Sequence, residues 1–116
     1  MPHVVIEYSD NISSVMQAEE ICQVAHNTMI KSGLFLTEDI KIRSYSAQDF
    51  LIGKKGRSGS FVHMTVYILE GRSMLQKRTL SEALCDALHA RLQTVDQVSV
   101  DVRELVKDIY RKRLAS

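Results

Sequence analysis

An internal repeat constrains this fold more than any other feature of the sequence. Residues 4–8 and residues 62–66 both have the apolar, β-branched character of a strand, and they begin 58 positions apart. The Ser-x-x-Gln pattern that begins many helices occurs at Ser14 and again at Ser73, 59 positions later. Alternating apolar and polar residues at 40–43 recur at 98–101. Three matches in order, at a nearly constant offset, predict two copies of one structural unit.

Each copy of the unit predicts a strand, a helix and a second strand. Apolar residues at helical spacing run from Ala18 to Met29, and Gly33 is placed to end this helix. A similar stripe runs from Leu80 to Leu92. Helices of this length can join parallel strands with right-handed geometry. The sequence therefore predicts an α+β fold of the α/β two-layer kind, in which two β-α-β repeats form a four-stranded sheet with two helices on one face.

The repeats define the domain boundaries that we expect. One domain covers residues 1–116, with repeats at about 2–46 and 60–103 and a loop rich in Gly, Ser and Lys between them. The tail at 104–114 has apolar residues at helical spacing and a basic end, which predicts a short C-terminal helix. The helices cover only one sheet face, and several positions on the other face are apolar. We therefore expect other copies of the chain to cover that face, with a closed ring as one arrangement.

Composition excludes several classes of protein. A net charge of +1 and an aromatic content of 6% do not favour nucleic-acid binding. The apolar runs are too short to cross a bilayer, and no signal peptide is visible, so we expect a cytoplasmic protein. The histidines lack the spacing of metal ligands, so no metal site is expected. Cys22 and Cys85 are isolated, and we expect them to pack as small apolar side chains.

Pro2 is the only proline, and it lies between the initiator methionine and the first predicted strand. A proline can begin a strand because it has no amide hydrogen to lose from the ladder. A chemical role is the alternative. If Met1 is removed, Pro2 becomes a free secondary amine, with its direction fixed by its ring and its position fixed by the strand. Position alone favours the structural role.

Other segments of the chain favour the chemical role. Residues 1–3 (Met-Pro-His), residues 7–12, which include Ser-Asp-Asn, and residues 61–65, followed by Gly-Arg-Ser at 71–73, resemble the 5-carboxymethyl-2-hydroxymuconate isomerase family. This family belongs to the tautomerase superfamily, whose mature chains begin with a catalytic proline. The resemblance covers nearly the whole chain. It implies a tautomerase-like homotrimer that uses no metal and no organic cofactor, and an isomerase that moves a proton in an anionic enol dicarboxylate from aromatic-compound catabolism.

The resemblance also implies a set of site residues. Pro2 takes the place of the proline that acts as general base and then as acid, and Arg72 falls on an arginine that contacts substrate. A second family arginine aligns with Lys41, and Arg43 follows two residues later. Lysine lacks the planar fork with which arginine binds a carboxylate at two points, so either Lys41 binds more loosely or substrate preference has changed. Which of Lys41 and Arg43 faces the site stays open.

Each of these cations has a structural alternative. Arg72 could cap the turn before the second helix, and Lys41 and Arg43 could form the polar face of a strand. The proposed chemistry gives them a function, because a base that removes a proton beside a carbonyl needs a pKa near the working pH. Burial and nearby cations both lower the pKa of an amine, and the same cations stabilise the dienolate charge that follows.

Two other functions remain open. The order of elements also describes ferredoxin-like domains, which include non-catalytic modules that bind small molecules. Within the tautomerase superfamily, a hydratase or dehalogenase activity is the other alternative.

Overall fold

Four strands and two α-helices form the part of the chain that the computed structural model describes, residues 1–115. The strands are β1 (His3–Ser9), β2 (Lys41–Ala47), β3 (Phe61–Leu69) and β4 (Gln97–Leu105), and the helices are α1 (Ala18–Lys31) and α2 (Met74–Arg91). Short 3-10 segments lie at Asp10–Ser14, Thr37–Asp39, Gly53–Lys55 and Lys107–Ile109. Neither α-helix has both the length and the apolar character that crossing a membrane requires.

The sheet order β2-β1-β3-β4 confirms the predicted pair of repeats. The strands of each repeat, β1 with β2 and β3 with β4, pair in parallel, and the two repeats meet where β1 pairs antiparallel with β3. A ferredoxin-like domain is built on a split βαβ unit, in which another strand separates the two parallel strands. Here β1 and β2 pair directly along their whole length. The ferredoxin-like alternative is therefore wrong.

Both helices lie on one face of the sheet, as the sequence predicts. The even-numbered residues of β1 and β3 point to this face, where side chains alternate in a strand. They form one buried core with both helices; its fully buried members include Val4, Ile6, Val62, Met64, Val66, Ile68, Ile21, Met29, Leu84 and Leu88. The core fixes the position of β1, and it therefore also fixes the position of Pro2, the residue before the strand.

The opposite face of the sheet, which we call the open face, is less apolar than expected. The pairing places His3 between Lys41 and Tyr67 across this face. Glu7 pairs with Tyr45 on β2 and with His63 on β3, so an aromatic ring and an imidazole flank its carboxylate. The open face therefore carries charged and aromatic side chains together and is not a purely apolar surface.

The two Ser-x-x-Gln patterns have different outcomes. Ser73 forms the predicted capping box: its Oγ accepts from the Gln76 backbone N–H at 3.1 Å, and the Gln76 side-chain oxygen accepts from the Ser73 N–H at 2.9 Å. The prediction at Ser14 is wrong, because this residue ends a 3-10 segment and α1 begins only at Ala18. Gln17 is extended there, with ψ of 148°, so no single helix can run through it.

The predicted C-terminal helix at 104–114 is also wrong. β4 continues to Leu105, which pairs with Leu69, and a 3-10 turn and an extended segment follow. Ile109, one of the residues at helical spacing, is 81% exposed. A short helix needs a buried apolar face for stability, and in the described part of the chain Val106 and Leu114 are exposed as well. Residues 106–112 instead run back toward the start of β1, where Tyr110 contacts His3 and Lys112 pairs with Asp39.

Candidate active site

Pro2 is buried and stands directly before β1. The backbone N–H of Lys41 donates to the Pro2 carbonyl at 3.2 Å, so the ladder between β1 and β2 includes the proline carbonyl. This bond and the core beneath β1 fix the backbone of Pro2. The position is consistent with a strand that begins at proline, and equally with a fixed amine once Met1 is absent.

The charges around this end of β1 disfavour a protonated amine. Burial lowers the pKa of the Met1 amine, and the ammonium groups of Lys41 and Lys112 lower it further. Asp39 acts in the opposite direction. The two lysines reach the amine from different parts of the chain, since Lys41 begins β2 and Lys112 lies in the tail. The amine therefore lies in a partly buried, cationic environment, which we call the hollow.

Lys41 and Arg43 both lie on the open face, beside β1. Lys41 pairs with His3 and its ammonium donates to the Asp39 carbonyl, whereas Arg43 pairs with Val5 one step farther from Pro2. The Arg43 Nη1 atom lies 3.3 Å from the His3 Nδ1 atom. Both cations thus face the same surface, and Lys41 lies nearer to the proline along the ladder.

The tail completes one side of the hollow. Lys112 forms an ion pair with Asp39 at 3.0 Å, and Tyr110 lies with its hydroxyl oxygen 3.1 Å from the His3 Nε2 atom. The hydrogen bond from Lys112 lowers the pKa of the Asp39 carboxyl group. Burial lowers the pKa of His3, and the charges of Lys41 and Arg43 lower it further, which favours the neutral imidazole.

Arg72 lies at the same end of the sheet but outside this cluster. It follows β3, whose last residues run beside the start of the antiparallel β1. Its Nη2 atom donates to the Leu34 carbonyl at 2.7 Å, and its guanidinium carbon lies 4.5 Å from the centre of the Phe35 ring. Within residues 1–115, no hydrogen bond or ion pair joins Arg72 to Pro2, Lys41 or Arg43. The structure therefore brings three of the four predicted site residues together.

Arg72 lines a surface cavity of about 600 Å³ between the end of α1 and the start of α2. Lys107 from the tail lines the same cavity, and Glu70 is its one carboxylate. A second cavity, of about 450 Å³, lies between the two helices and is lined mainly by apolar side chains such as Leu75 and Leu80. Of these two cavities, the one beside Arg72 offers two cations, Arg72 and Lys107, to an anionic ligand.

Sequence reasoning missed four residues of the hollow: His3, Asp39, Tyr110 and Lys112. His3 belongs to the Met-Pro-His segment that carried the resemblance, so its place beside the proline was available as a signal. The prediction of a tail helix concealed the other contacts, because a helix would have carried the tail away from β1. Among residues 1–115, no three His, Cys, Asp or Glu side chains come together as metal ligands would.

Comparison with known proteins identifies the family. The sequence profile of 5-carboxymethyl-2-hydroxymuconate isomerase matches residues 2–112. A search of curated proteins found no match. Among solved structures, a 5-carboxymethyl-2-hydroxymuconate isomerase from Deinococcus radiodurans R1 is 23% identical, with a TM-score of 0.87 over 97% of this chain and 88% of its own.

Two further structures share the fold. A 5-carboxymethyl-2-hydroxymuconate delta-isomerase is 22% identical, with a TM-score of 0.80 over 99% of this chain and 89% of its own. A Q0 fused 4-OT wild-type symmetric trimer is 17% identical, with a TM-score of 0.71 over 90% of this chain and 86% of its own. These likenesses show the fold. The profile match over residues 2–112 shows that the chain belongs to the 5-carboxymethyl-2-hydroxymuconate isomerase family and is an enzyme of the isomerase class.

Proposed function

We propose that this isomerase moves a proton within an anionic enol or dienol dicarboxylate similar to 5-carboxymethyl-2-hydroxymuconate. The free amine of Pro2, exposed by removal of Met1, is the general base and then the general acid. The observation that supports this most is the burial of Pro2 at the start of β1, in a hollow where Lys41 and Lys112 lower the pKa of the terminal amine. No other end of the described sheet combines a chain terminus with several cations.

Removal of Met1 transfers the role of terminal amine to the Pro2 nitrogen. That nitrogen is one residue farther along the same chain and closer to the β1–β2 ladder, and we expect Lys41 and Lys112 to act on it as they act on the Met1 amine. Burial and repulsion from these cations favour the neutral amine, which is the form that can accept a proton. A retained Met1 would leave an amide nitrogen with no basic lone pair.

The reaction moves one proton within the substrate and neither adds nor removes an atom. The neutral amine takes the proton of the enol hydroxyl group, and the substrate becomes a dienolate. The protonated amine then returns a proton to a carbon of the conjugated chain, which gives the ketone and restores the neutral amine. The charge that develops on the dienolate lies among the cations of the hollow, and this electrostatic stabilisation is the largest contribution that we expect from them.

Lys41, Arg43 and Arg72 have different parts in binding the carboxylates. Lys41 supplies a point charge beside the amine, and Arg43 supplies a fork on the same face. The bond to Leu34 occupies one of the five N–H donors of Arg72, so most of its fork stays available to a carboxylate. Arg72 can therefore both stabilise the fold and bind substrate.

We also propose that the enzyme is a homotrimer. No element formed by residues 1–115 covers the open face, and β2 and β4 are edge strands with unpaired backbone groups. A related fold occurs as a symmetric trimer. Light scattering on the eluting peak of a gel filtration column tests this, and a mass of one chain would contradict it.

The decisive experiment compares processed wild-type enzyme with Pro2→Ala. Alanine also permits removal of Met1, and it replaces the secondary amine, which the proline ring holds in one direction, with a primary amine that no ring fixes. Intact mass confirms that Met1 is absent from both proteins. The conversion of enol to ketone is followed by ultraviolet absorbance, and we expect the rate of the variant to fall by about 10²-fold or more. Equal rates would remove the claim.

A hydratase or dehalogenase activity is the second candidate, and Lys41 is the observation that favours it. A lysine in place of a family arginine binds a carboxylate without the bidentate geometry and so permits a different substrate pose. A panel of enol dicarboxylates and halogenated unsaturated acids separates the two candidates. Release of halide without enol conversion would support the second.

A further inference from the structure

The side chain of Tyr110 is a feature of the hollow that the proton transfer does not use. We propose that Tyr110 contacts the substrate and donates a hydrogen bond from its hydroxyl group to an anionic substrate oxygen, and that His3 orients this donor. The inference rests on the proposed function and deepens it, because it adds a neutral donor to the cations Lys41, Arg43 and Arg72 that are proposed to bind the substrate.

Three side chains form a directed series of hydrogen bonds. Arg43 lies 3.3 Å from the His3 Nδ1 atom, and the His3 Nε2 atom lies 3.1 Å from the Tyr110 hydroxyl oxygen. A guanidinium group can only donate, so the His3 Nδ1 atom accepts. In a neutral imidazole the other nitrogen then carries the hydrogen, and His3 donates to the Tyr110 oxygen. The hydroxyl hydrogen of Tyr110 has no partner in this series and is free to donate to a ligand.

The tail holds Tyr110 from both sides. Before it, the Lys107 N–H donates to the Glu70 carboxylate at 2.8 Å, and after it, Lys112 pairs with Asp39 at 3.0 Å. The ring also packs edge-on against His3, with the ring centres 6.0 Å apart. Two anchors and a packed ring fix the hydroxyl group more firmly than an extended tail alone would.

The position of this donor suits the charge that the reaction creates. His3 is the residue after Pro2, and the charges of the terminal amine, Lys41 and Lys112 all act on it, so the His3–Tyr110 pair lies within the field of the proposed site. A hydrogen bond to an ionised oxygen is stronger than one to a neutral oxygen. A fixed hydroxyl donor therefore stabilises a dienolate more than it stabilises the enol, which is the requirement for an effect on rate.

A purely structural role is the competing explanation, in which Tyr110 only anchors the tail. The variant Tyr110→Phe keeps the ring and its packing against His3 and removes the hydroxyl group alone. Tyr45→Phe is the matched control, because Tyr45 is on the same face of the sheet but is 56% exposed and has no hydrogen-bond partner among residues 1–115. Both variants are assayed with 5-carboxymethyl-2-hydroxymuconate alongside Pro2→Ala.

We expect Tyr110→Phe to lower kcat by about 10- to 100-fold, the range for loss of one hydrogen bond to a charged group, with KM within about threefold of wild type. Tyr45→Phe should leave both constants unchanged. A kcat for Tyr110→Phe within twofold of wild type, with the melting temperature lowered or not, would overturn the inference. If Pro2→Ala is inactive in that case, the proposed function stands without it. If instead Pro2→Ala retains wild-type activity while Tyr110→Phe loses it, the role of Pro2 fails and that of Tyr110 is supported.

The orienting role of His3 has its own readout. In a His3→Phe background, the hydroxyl group of Tyr110 loses the donor that fixes its direction. We expect Tyr110→Phe to lower the kcat of the His3→Phe enzyme by less than about threefold, because residues in one hydrogen-bond network show non-additive effects. The full loss in both backgrounds would show that the hydroxyl group acts without His3 and would overturn this part of the inference.

Discussion

Arg72 is expected both to stabilise the fold and to bind substrate, and unfolding of the Arg72→Ala variant without substrate measures the first function alone. In the absence of substrate its guanidinium group connects the end of β3 to the segment after α1, through the Leu34 carbonyl at 2.7 Å and the Phe35 ring at 4.5 Å. Arg72→Ala removes both contacts. It should therefore lower the free energy of unfolding as well as weaken substrate binding.

The magnitude follows from the two contacts. A hydrogen bond from a charged donor contributes about 1.5–3 kcal/mol. The contact with the ring adds about 0.5–1 kcal/mol at a partly exposed site. Leu34 is only partly buried, so water can replace some of the lost bond at its carbonyl. We expect a net loss of about 2 kcal/mol, which for a chain of 116 residues corresponds to a melting temperature lower by about 8 °C.

Urea unfolding followed by far-ultraviolet circular dichroism measures this loss. Protein concentration is held constant, because the stability of an oligomer depends on it. Arg78→Ala is the matched control: it removes an exposed arginine from α2, and its effect should lie within about 0.5 kcal/mol. An Arg72→Ala protein as stable as the control variant would refute the structural role, and any loss of activity would then belong to substrate binding alone.

Three further predictions concern the base, a helix cap and a glycine. Lys41→Met removes a cation that lowers the pKa of the terminal amine; since the amine is a base only when neutral, the rising limb of the pH–rate profile should move to higher pH. Ser73→Ala should cost about 1 kcal/mol in urea unfolding and Ser14→Ala less than about 0.5 kcal/mol, because only Ser73 forms a capping box. Gly59→Ala should cost about 1–3 kcal/mol, because its new Cβ would lie 2.5 Å from the Cβ of Ile52.

Local pattern and repetition were enough to predict most of the fold. Strands, helices and the sheet with helices on one face follow from apolar periodicity, which reports burial directly. The capping box shows the limit of such signals. Ser14 and Ser73 have the same pattern, but Ile12 and Met16 must both enter the core before α1 begins, and a separate 3-10 turn achieves this. Tertiary packing decided between two identical local signals.

The site was predictable only in part, because its residues meet through tertiary structure. Pairing of β1 with β2 brings Lys41 to Pro2, and the predicted parallel repeat already implied this contact. The path of the tail could not be read from spacing. Its apolar residues suggested a helix, whereas the ion pair of Lys112 with Asp39 and the contact of Tyr110 with His3 hold an extended segment. Those contacts join residues more than 70 positions apart, which no local pattern reports.

The pKa of the Pro2 nitrogen tests most directly whether its amine is neutral at working pH and can act as the base. The processed enzyme, labelled with ¹⁵N at proline, carries its only proline at the terminus, so one nitrogen resonance can be followed from acid to alkaline pH. We expect a pKa of the Pro2 nitrogen clearly below that of an exposed terminal amine, and a higher pKa in Lys41→Met. A pKa at or above that of an exposed amine, unchanged by the substitution, would contradict this expectation.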